Sequence, residues 1–137
     1  RFRNVTGVQT CALPISGLCL IPHGAQKLFE WFGGNRAATA GFFEKLGIEP
    51  ALPLVYLVGA VEFFGGILLT IGLLTRPAAA AVFVIMMVAV FKVHLGNGFF
   101  WLKAGYEYPL LWGVVALGLA FGGSGKLSVD DKLGKEF

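Results

Sequence analysis

Long apolar runs separated by short polar segments dominate the chain, and this pattern predicts helices that cross a membrane. The longest run, Ala51–Leu74, has 24 residues and a single charged one, Glu62. At roughly 1.5 Å per residue, a helix of that length covers about 36 Å, which is enough to cross a bilayer. Pro53 is tolerated there because it lies in the first turn. We therefore predict that this run is the second of four spans.

Glu62 lies near the middle of that run, where a carboxylate is costly. On insertion scales, an acidic residue at the centre of a helix costs roughly 2.5–3.5 kcal/mol of free energy. The Glu62 side chain should therefore face the protein interior and be protonated or paired. Gly59 and Gly66 lie on the same helical face, where small residues let another helix approach closely. The Glu62 face is therefore predicted to be a packing face.

Three further apolar segments complete the prediction. Gly17–Ile21 is interpreted as the end of a first helix whose beginning is truncated. The third span is Pro77–Leu95, about one bilayer thickness long. The fourth is Tyr106–Phe121, with Glu107 in its first turn, where a carboxylate suits the helix dipole. The expected fold class is all-α, an integral membrane four-helix bundle.

The two polar segments between the first and second spans are predicted to lie at the membrane interface. Pro22–Gly34 carries His23 and Lys27, which are four residues apart and share a helical face. His23 is either an interfacial or capping histidine or a functional one. Asn35–Pro50 is amphipathic and too short to span, which favours a short interfacial helix on the membrane surface or folded back over the bundle.

Connecting the spans places segments 22–50 and 96–105 on one face, and Arg76 and the polar tail on the other. Lys92 and His94 are roughly 200° apart around a helix, so if Lys92 points outward His94 points toward the bundle. The aromatic residues are concentrated on the first face, more than belts at both interfaces would require. They are Trp31, Phe32, Phe42, Phe43, Phe99, Phe100, Trp101, Tyr106 and Tyr108. This face is predicted to hold a polar cluster of His23, Lys27, His94, Asn97 and Glu107, with Glu62 deeper.

The first residues are treated as a leader outside the fold. Val5–Ile15 resembles the conceptual translation of a common sequencing adapter, so residues 1–16 are interpreted as artefactual. The expected organisation is this leader, a single transmembrane domain over residues 17–122, and a polar cytoplasmic tail over residues 123–137. Without Arg1 and Arg3 the chain has nine basic and eight acidic residues, a formal net charge of +1. That balance gives no electrostatic argument for nucleic-acid binding.

The composition supports a membrane protein, and the absence of the usual motifs argues against redox-metal, haem and dinucleotide sites. The chain is 56% hydrophobic and 14% charged, with a mean hydropathy of +0.75, whereas soluble domains carry about 25% charged residues. Cys19 is interpreted as a small core residue. No CxxC, paired haem histidines or dinucleotide glycine motif is present, so we predict no metal and no cofactor bound by this chain. The glycines at 122–125 lack the pattern of a phosphate loop.

Several motifs together resemble the DoxX family. They are HGAQKLFEWFGG after the first helix, T-x-x-F-F-x-x-x-G-x-x-P-A over Thr39–Ala51, G-x-x-E-x-x-G-G over Gly59–Gly66, Thr75-Arg76, His94 with Asn97-Gly98-Phe99-Phe100, Glu107, and G-x-G-x-x-S-V-D over Gly123–Asp130. The resemblance covers nearly all of Gly17–Phe137. It implies a small bacterial inner-membrane protein with four helices and both ends cytoplasmic. Charge counting alone does not fix the orientation.

The resemblance leaves the reaction open. It implies at most a subunit of a membrane oxidoreductase, of the thiosulfate:quinone or quinol oxidase type, or a membrane partner in an oxidative-stress complex. In the first hypothesis the bundle binds a quinone or sulfur compound, with a protein partner supplying electrons. Glu62, His94, Glu107 and His23 would then relay protons, and Lys27 and Asn97 would bind substrate.

Two alternatives remain. In one, the chain is a scaffold that docks a partner enzyme, and Glu62 hydrogen-bonds His94 or a backbone group to fix helix register. In the other, the chain is a small-solute transporter. That role would need a continuous polar path across the membrane, and on the face opposite the aromatic residues Arg76 is the only charge that the sequence clearly supplies.

Overall fold

The computed structural model describes residues 6–125 and 127–134, and the regular structure in these ranges is entirely helical. The first part of the predicted leader (residues 1–5), Lys126 and the end of the predicted tail (residues 135–137) lie outside the described residues. The α-helices are α1 (Thr6–Phe29), α2 (Arg36–Lys45), α3 (Ala51–Ile71), α4 (Thr75–Val88), α5 (Glu107–Gly122) and α6 (Val129–Lys132). A π-helical turn, Ala89–His94, and a 3-10 turn, Leu95–Asn97, extend α4.

The first helix differs from the prediction at both ends. It was expected to end near Ile21, yet α1 continues through Pro22 to Phe29. It also begins inside the predicted leader, and Leu13 and Ser16 are buried there. Packing against α3 explains the extension, since Gly24 lies against the backbone of Phe63. The adapter origin of the leader stays a prediction.

The other three long helices follow the apolar runs. The start of α3 at Ala51 is confirmed, but the helix ends at Ile71 because Gly72 adopts a left-handed conformation, with φ of 67°. The helical path from Thr75 reaches Asn97, two residues beyond the predicted end of the third span. The last long helix begins at Glu107, which lies in its first turn as predicted.

Glycines bring α1 and α3 close together. A methyl group added to Gly17 would overlap the carbonyl oxygen of Gly66, and one added to Gly59 would press on the side chains of Lys27 and Leu28. Such contacts require residues without a Cβ on both helices. The prediction that the Gly59 and Gly66 face is a packing face is therefore confirmed.

Two apolar clusters hold the helices together. The larger one joins α1, α3, α4 and α5, and it includes Leu69, Val82, Met86 and Leu119. In the smaller one, Ala40 and Phe43 of α2 pack on Ala51 and Val55 of α3. The helix predicted between the first two spans is thus folded against α3.

Two helices in the described part of the chain are long and apolar enough to cross a membrane. They are Ala51–Ile71, with a mean hydropathy of 2.1, and Thr75–Asn97, with 2.3. Of their most apolar windows, 33% and 28% are buried, so many apolar side chains of both helices are partly or fully exposed. Outward-facing side chains include Phe64, Val84 and Phe91. The 16-residue α5 is apolar but shorter than the roughly 20 residues that a perpendicular span needs.

The polar tail is not simply a solvated extension. Asp130 is completely buried, and its carboxylate accepts hydrogen bonds from the backbone N–H groups of Leu74 (2.9 Å) and Thr75 (3.0 Å). Its own N–H donates to the carbonyl of Gly72 at 3.0 Å. Asp130 therefore caps the N-terminus of α4 from 55 residues away, and the packed core extends beyond residue 122.

Candidate functional site

A cavity of about 310 Å³ lies where α1, α3, the extension of α4 and the start of α5 meet. We call it the aromatic cavity, because aromatic rings supply much of its wall. The side chains that give it chemical character are Cys19, His23, Glu62, His94, Trp101, Tyr108 and Trp112. Its volume falls at the lower end of the roughly 300–1,000 Å³ usual for small-molecule sites.

Glu62 is paired with Lys27 beside this cavity. The Nζ atom of Lys27 lies 2.6 Å from Oε2 of Glu62, and the two side chains are 20% and 8% exposed. The same ammonium group donates to the carbonyl of His23 at 3.3 Å. The prediction of a buried, paired carboxylate is therefore confirmed.

The identity of the partner corrects one hypothesis. The scaffold hypothesis assigned His94 or a backbone group to Glu62, whereas the structure shows Lys27. Because α1 was expected to end near Ile21, Lys27 was placed at the interface. The longer helix instead carries Lys27 onto α3, where Gly59 leaves room for its stem.

His94 lies on the cavity wall with one ring nitrogen already engaged. Its Nδ1 atom is 2.6 Å from the carbonyl oxygen of Ala104, and Nδ2 of Asn97 donates to the same oxygen at 3.1 Å. A carbonyl oxygen only accepts, so Nδ1 carries a proton in this contact. Lys92 is exposed, which confirms the predicted opposite directions of Lys92 and His94.

The segment that provides Ala104 forms one side of the aromatic cavity. We call residues 95–106 the cap loop. Glu107 holds it by accepting a hydrogen bond from the N–H of Trp101 at 3.1 Å and donating its own N–H to Phe99 at 2.9 Å. Gly105 is tightly enclosed, because a Cβ there would overlap the carbonyls of Gly98 and Phe99. The cap loop is therefore a defined turn.

The structure separates the predicted site residues into two groups. His23, Glu62 and His94 line the aromatic cavity. The other three support it from outside its wall: they are Lys27, Asn97 and Glu107. Sequence reasoning assigned no site role to Trp112 and interpreted Cys19 as a small core residue. The interpretation of Cys19 was wrong, because its side chain is exposed and lines the aromatic cavity. A signal for Trp112 was available, since it lies one helical turn after Tyr108 and their ring centroids are 6.0 Å apart.

An exposed ion pair near the same end joins Glu30, which directly follows α1, to Arg36 of α2. A carboxylate oxygen of Glu30 is 3.2 Å from Nη2 of Arg36, and the other accepts the backbone N–H of Arg36 at 3.1 Å. This N–H donor and the guanidinium group lower the pKa of Glu30, and the hydrogen bond to Glu30 raises the pKa of Arg36. Arg36 also donates to the Tyr56 hydroxyl at 2.6 Å. The cluster fixes the position of α2.

Fold and site together define an apolar helical protein with an ion pair beside an aromatic-lined cavity. The DoxX family profile matches residues 14–95, and the chain belongs to the DoxX family, whose members are membrane-associated. The resemblance seen in the sequence is thus confirmed.

The chain is also similar to two known bacterial proteins. The chain is 34% identical, over 85% of its length and 83% of the relative's, to an "Uncharacterized protein" of Haemophilus influenzae. It is 31% identical, over 85% of its length and 79% of the relative's, to the "Putative oxidoreductase CatD" of Bacillus subtilis. No solved structure matches the chain significantly.

Proposed function

We propose that this chain is a multi-pass protein of the bacterial inner membrane, in which α1, α3, α4 with its extension, and α5 form a four-helix bundle with both ends in the cytoplasm. The outward apolar surface of α3 and α4 supports this arrangement, since lipid would cover it. The bundle acts as an accessory subunit of a redox complex that is linked to quinones or to oxidative stress. The name of the Bacillus subtilis relative is consistent with such a role.

The observation that carries the proposal is the aromatic cavity with a carboxylate and two imidazoles on its wall. Its size and its rings suit a single-ring head group such as that of a quinone, which would be a substrate of the complex. Quinone reduction consumes protons, and Glu62, His23 and His94 are groups that can bind and release them. In this proposal electrons come from a protein partner.

A scaffold role is the second candidate, and the Lys27–Glu62 pair favours it. A carboxylate that is already satisfied by a lysine on the neighbouring helix can fix the register of α1 against α3 without any chemistry. The exposed Phe100 and Leu102 of the cap loop would then contact the partner enzyme.

The substitution Glu62→Gln distinguishes the two candidates. Copurification from bacterial membranes identifies the partner, and quinone-linked turnover is then measured per assembled complex. Our proposal expects normal recovery of the partner and loss of most turnover. Reduced recovery with unchanged turnover per complex would instead establish the scaffold role. Glu44→Gln, the same chemical change at an exposed position on α2, is the matched control and should alter neither quantity.

A further inference from the structure

The cap loop determines which ring nitrogen of His94 can form a hydrogen bond with a ligand. The Ala104 carbonyl receives both Nδ1–H of His94 and the amide of Asn97, so two donors converge on one acceptor. In a neutral imidazole with a proton on Nδ1, the other nitrogen, Nε2, is a hydrogen-bond acceptor. Among the described residues Nε2 of His94 has no protein partner. It is therefore the nitrogen left for a ligand of the aromatic cavity.

A second acceptor lies on the same wall. Glu62 lines the aromatic cavity, whereas Lys27, which neutralises it, is not part of the wall. A carboxylate that is paired with an ammonium group has only acceptor oxygens to offer a ligand. A ligand that reaches both groups meets two acceptors.

The donors of the cavity belong mainly to its aromatic residues. The indole N–H groups of Trp101 and Trp112 and the hydroxyl of Tyr108 can donate to a ligand oxygen, and His23 can donate or accept. These groups can satisfy one oxygen of a ring. They do not relieve the two acceptors, His94 and Glu62, which need a donor from the ligand itself.

The oxidised and reduced forms of a ring substrate differ in whether they can donate a hydrogen bond to these two acceptors. A ring carbonyl turns lone pairs toward His94 and Glu62 and leaves them unsatisfied, whereas a ring hydroxyl donates a hydrogen bond. We infer that the aromatic cavity preferentially binds the reduced, hydroxyl-bearing form, an aromatic diol or phenol, and that His94, oriented by Ala104 and Asn97, determines this preference. The inference rests on the proposed function, in that both require a ring to bind in the cavity.

Binding to the purified chain in lipid nanodiscs tests this inference directly. The probes are an alkyl hydroquinone kept reduced under anaerobic conditions, its dimethyl ether, which has the same ring without a hydroxyl donor, and the matching quinone. Equilibrium dialysis gives the three affinities. Loss of one buried hydrogen bond corresponds to about 10-fold in affinity, so we expect the hydroquinone to bind roughly 10-fold more tightly than either other probe.

Two variants locate the preference. His94→Phe keeps a ring but removes one of the two acceptors, so the preference for the hydroquinone should fall several-fold, to the part that Glu62 alone supports. Asn97→Ala removes a donor that helps to hold the Ala104 carbonyl in place for His94, so it should weaken the preference for the hydroquinone. The ether affinity shows in each variant that the cavity is still formed. Asn97→Ala serves as the test if His94→Phe does not fold.

The outcomes separate the inference from the proposed function. If the quinone binds as tightly as the hydroquinone to the unaltered chain, the inference is wrong and cavity binding stands. A preference for hydroquinone that is undiminished in both variants would overturn the assignment to His94. If none of the three probes binds, the proposed function fails as well.

Discussion

Two carboxylates are buried in the described part of the chain, Glu62 near the middle of α3 and Asp130 beside the start of α4, and they differ in how they are satisfied. Both oxygens of Asp130 accept hydrogen bonds from fixed backbone N–H groups. One carboxylate oxygen of Glu62 accepts a hydrogen bond from the Lys27 side chain, and Glu62 forms part of the wall of the aromatic cavity. A carboxylate held only by backbone donors has a structural role. One held by a side chain next to a cavity keeps the capacity to interact with a ligand.

The largest effect is expected when the Glu62 pair is broken. Lys27→Met keeps the length of the apolar stem against Gly59 but leaves the carboxylate without its counter-charge. Removing one partner of a buried pair costs about 3 kcal/mol or more. Unfolding in detergent micelles, followed by circular dichroism with added denaturant, should show this loss.

A double variant tests whether charge is the cause. Adding Glu62→Gln to Lys27→Met should recover more than half of the lost free energy of unfolding, because no charge then remains unpaired. If the double variant is as unstable as the sum of the two single ones, the pair is not coupled and the contrast with Asp130 disappears.

Asp130→Ala should have the next largest effect. The N–H groups of Leu74 and Thr75 would lose a charged acceptor in a buried place, which costs about 2 kcal/mol. Asp130→Asn retains one acceptor oxygen and should lose less. The same denaturant titration measures both.

The ligand affinities of the aromatic cavity should not change in either Asp130 variant. Asp130 contacts the start of α4, whereas the cavity lies beside the helical extension at its other end. A weaker affinity for ring probes in Asp130→Ala with an intact fold would show that the two ends are coupled, contrary to the division drawn above.

The sequence was informative where the decisive property is local. An acidic residue flanked by glycines within an apolar run identified the Glu62 face, and helical geometry placed His94 opposite Lys92. It failed where a partner comes from elsewhere in the chain. Lys27 is 35 residues from Glu62, and its pairing depends on α1 continuing past Pro22. In the sequence Asp130 is part of a polar tail. Its role as a cap depends on the fold, which brings Leu74 and Thr75 next to it.

The smallest effect is expected at the exposed pair of Glu30 and Arg36, which lies at the cavity end and contrasts with the buried pair there. The Arg36 N–H and guanidinium groups lower the pKa of Glu30 below its usual value. A carboxyl group with a lowered pKa in the folded state contributes stability above its unfolded pKa, and this contribution is lost as the pH falls through the folded value. Glu30→Gln should therefore lower the unfolding temperature slightly at pH 7 and leave it unchanged near pH 3. Because Glu30 is solvent-exposed, added salt should shrink the difference at pH 7, whereas the effect of Lys27→Met should persist in salt. An equal response of both variants to salt would mean that the Lys27–Glu62 pair is screened like a surface pair.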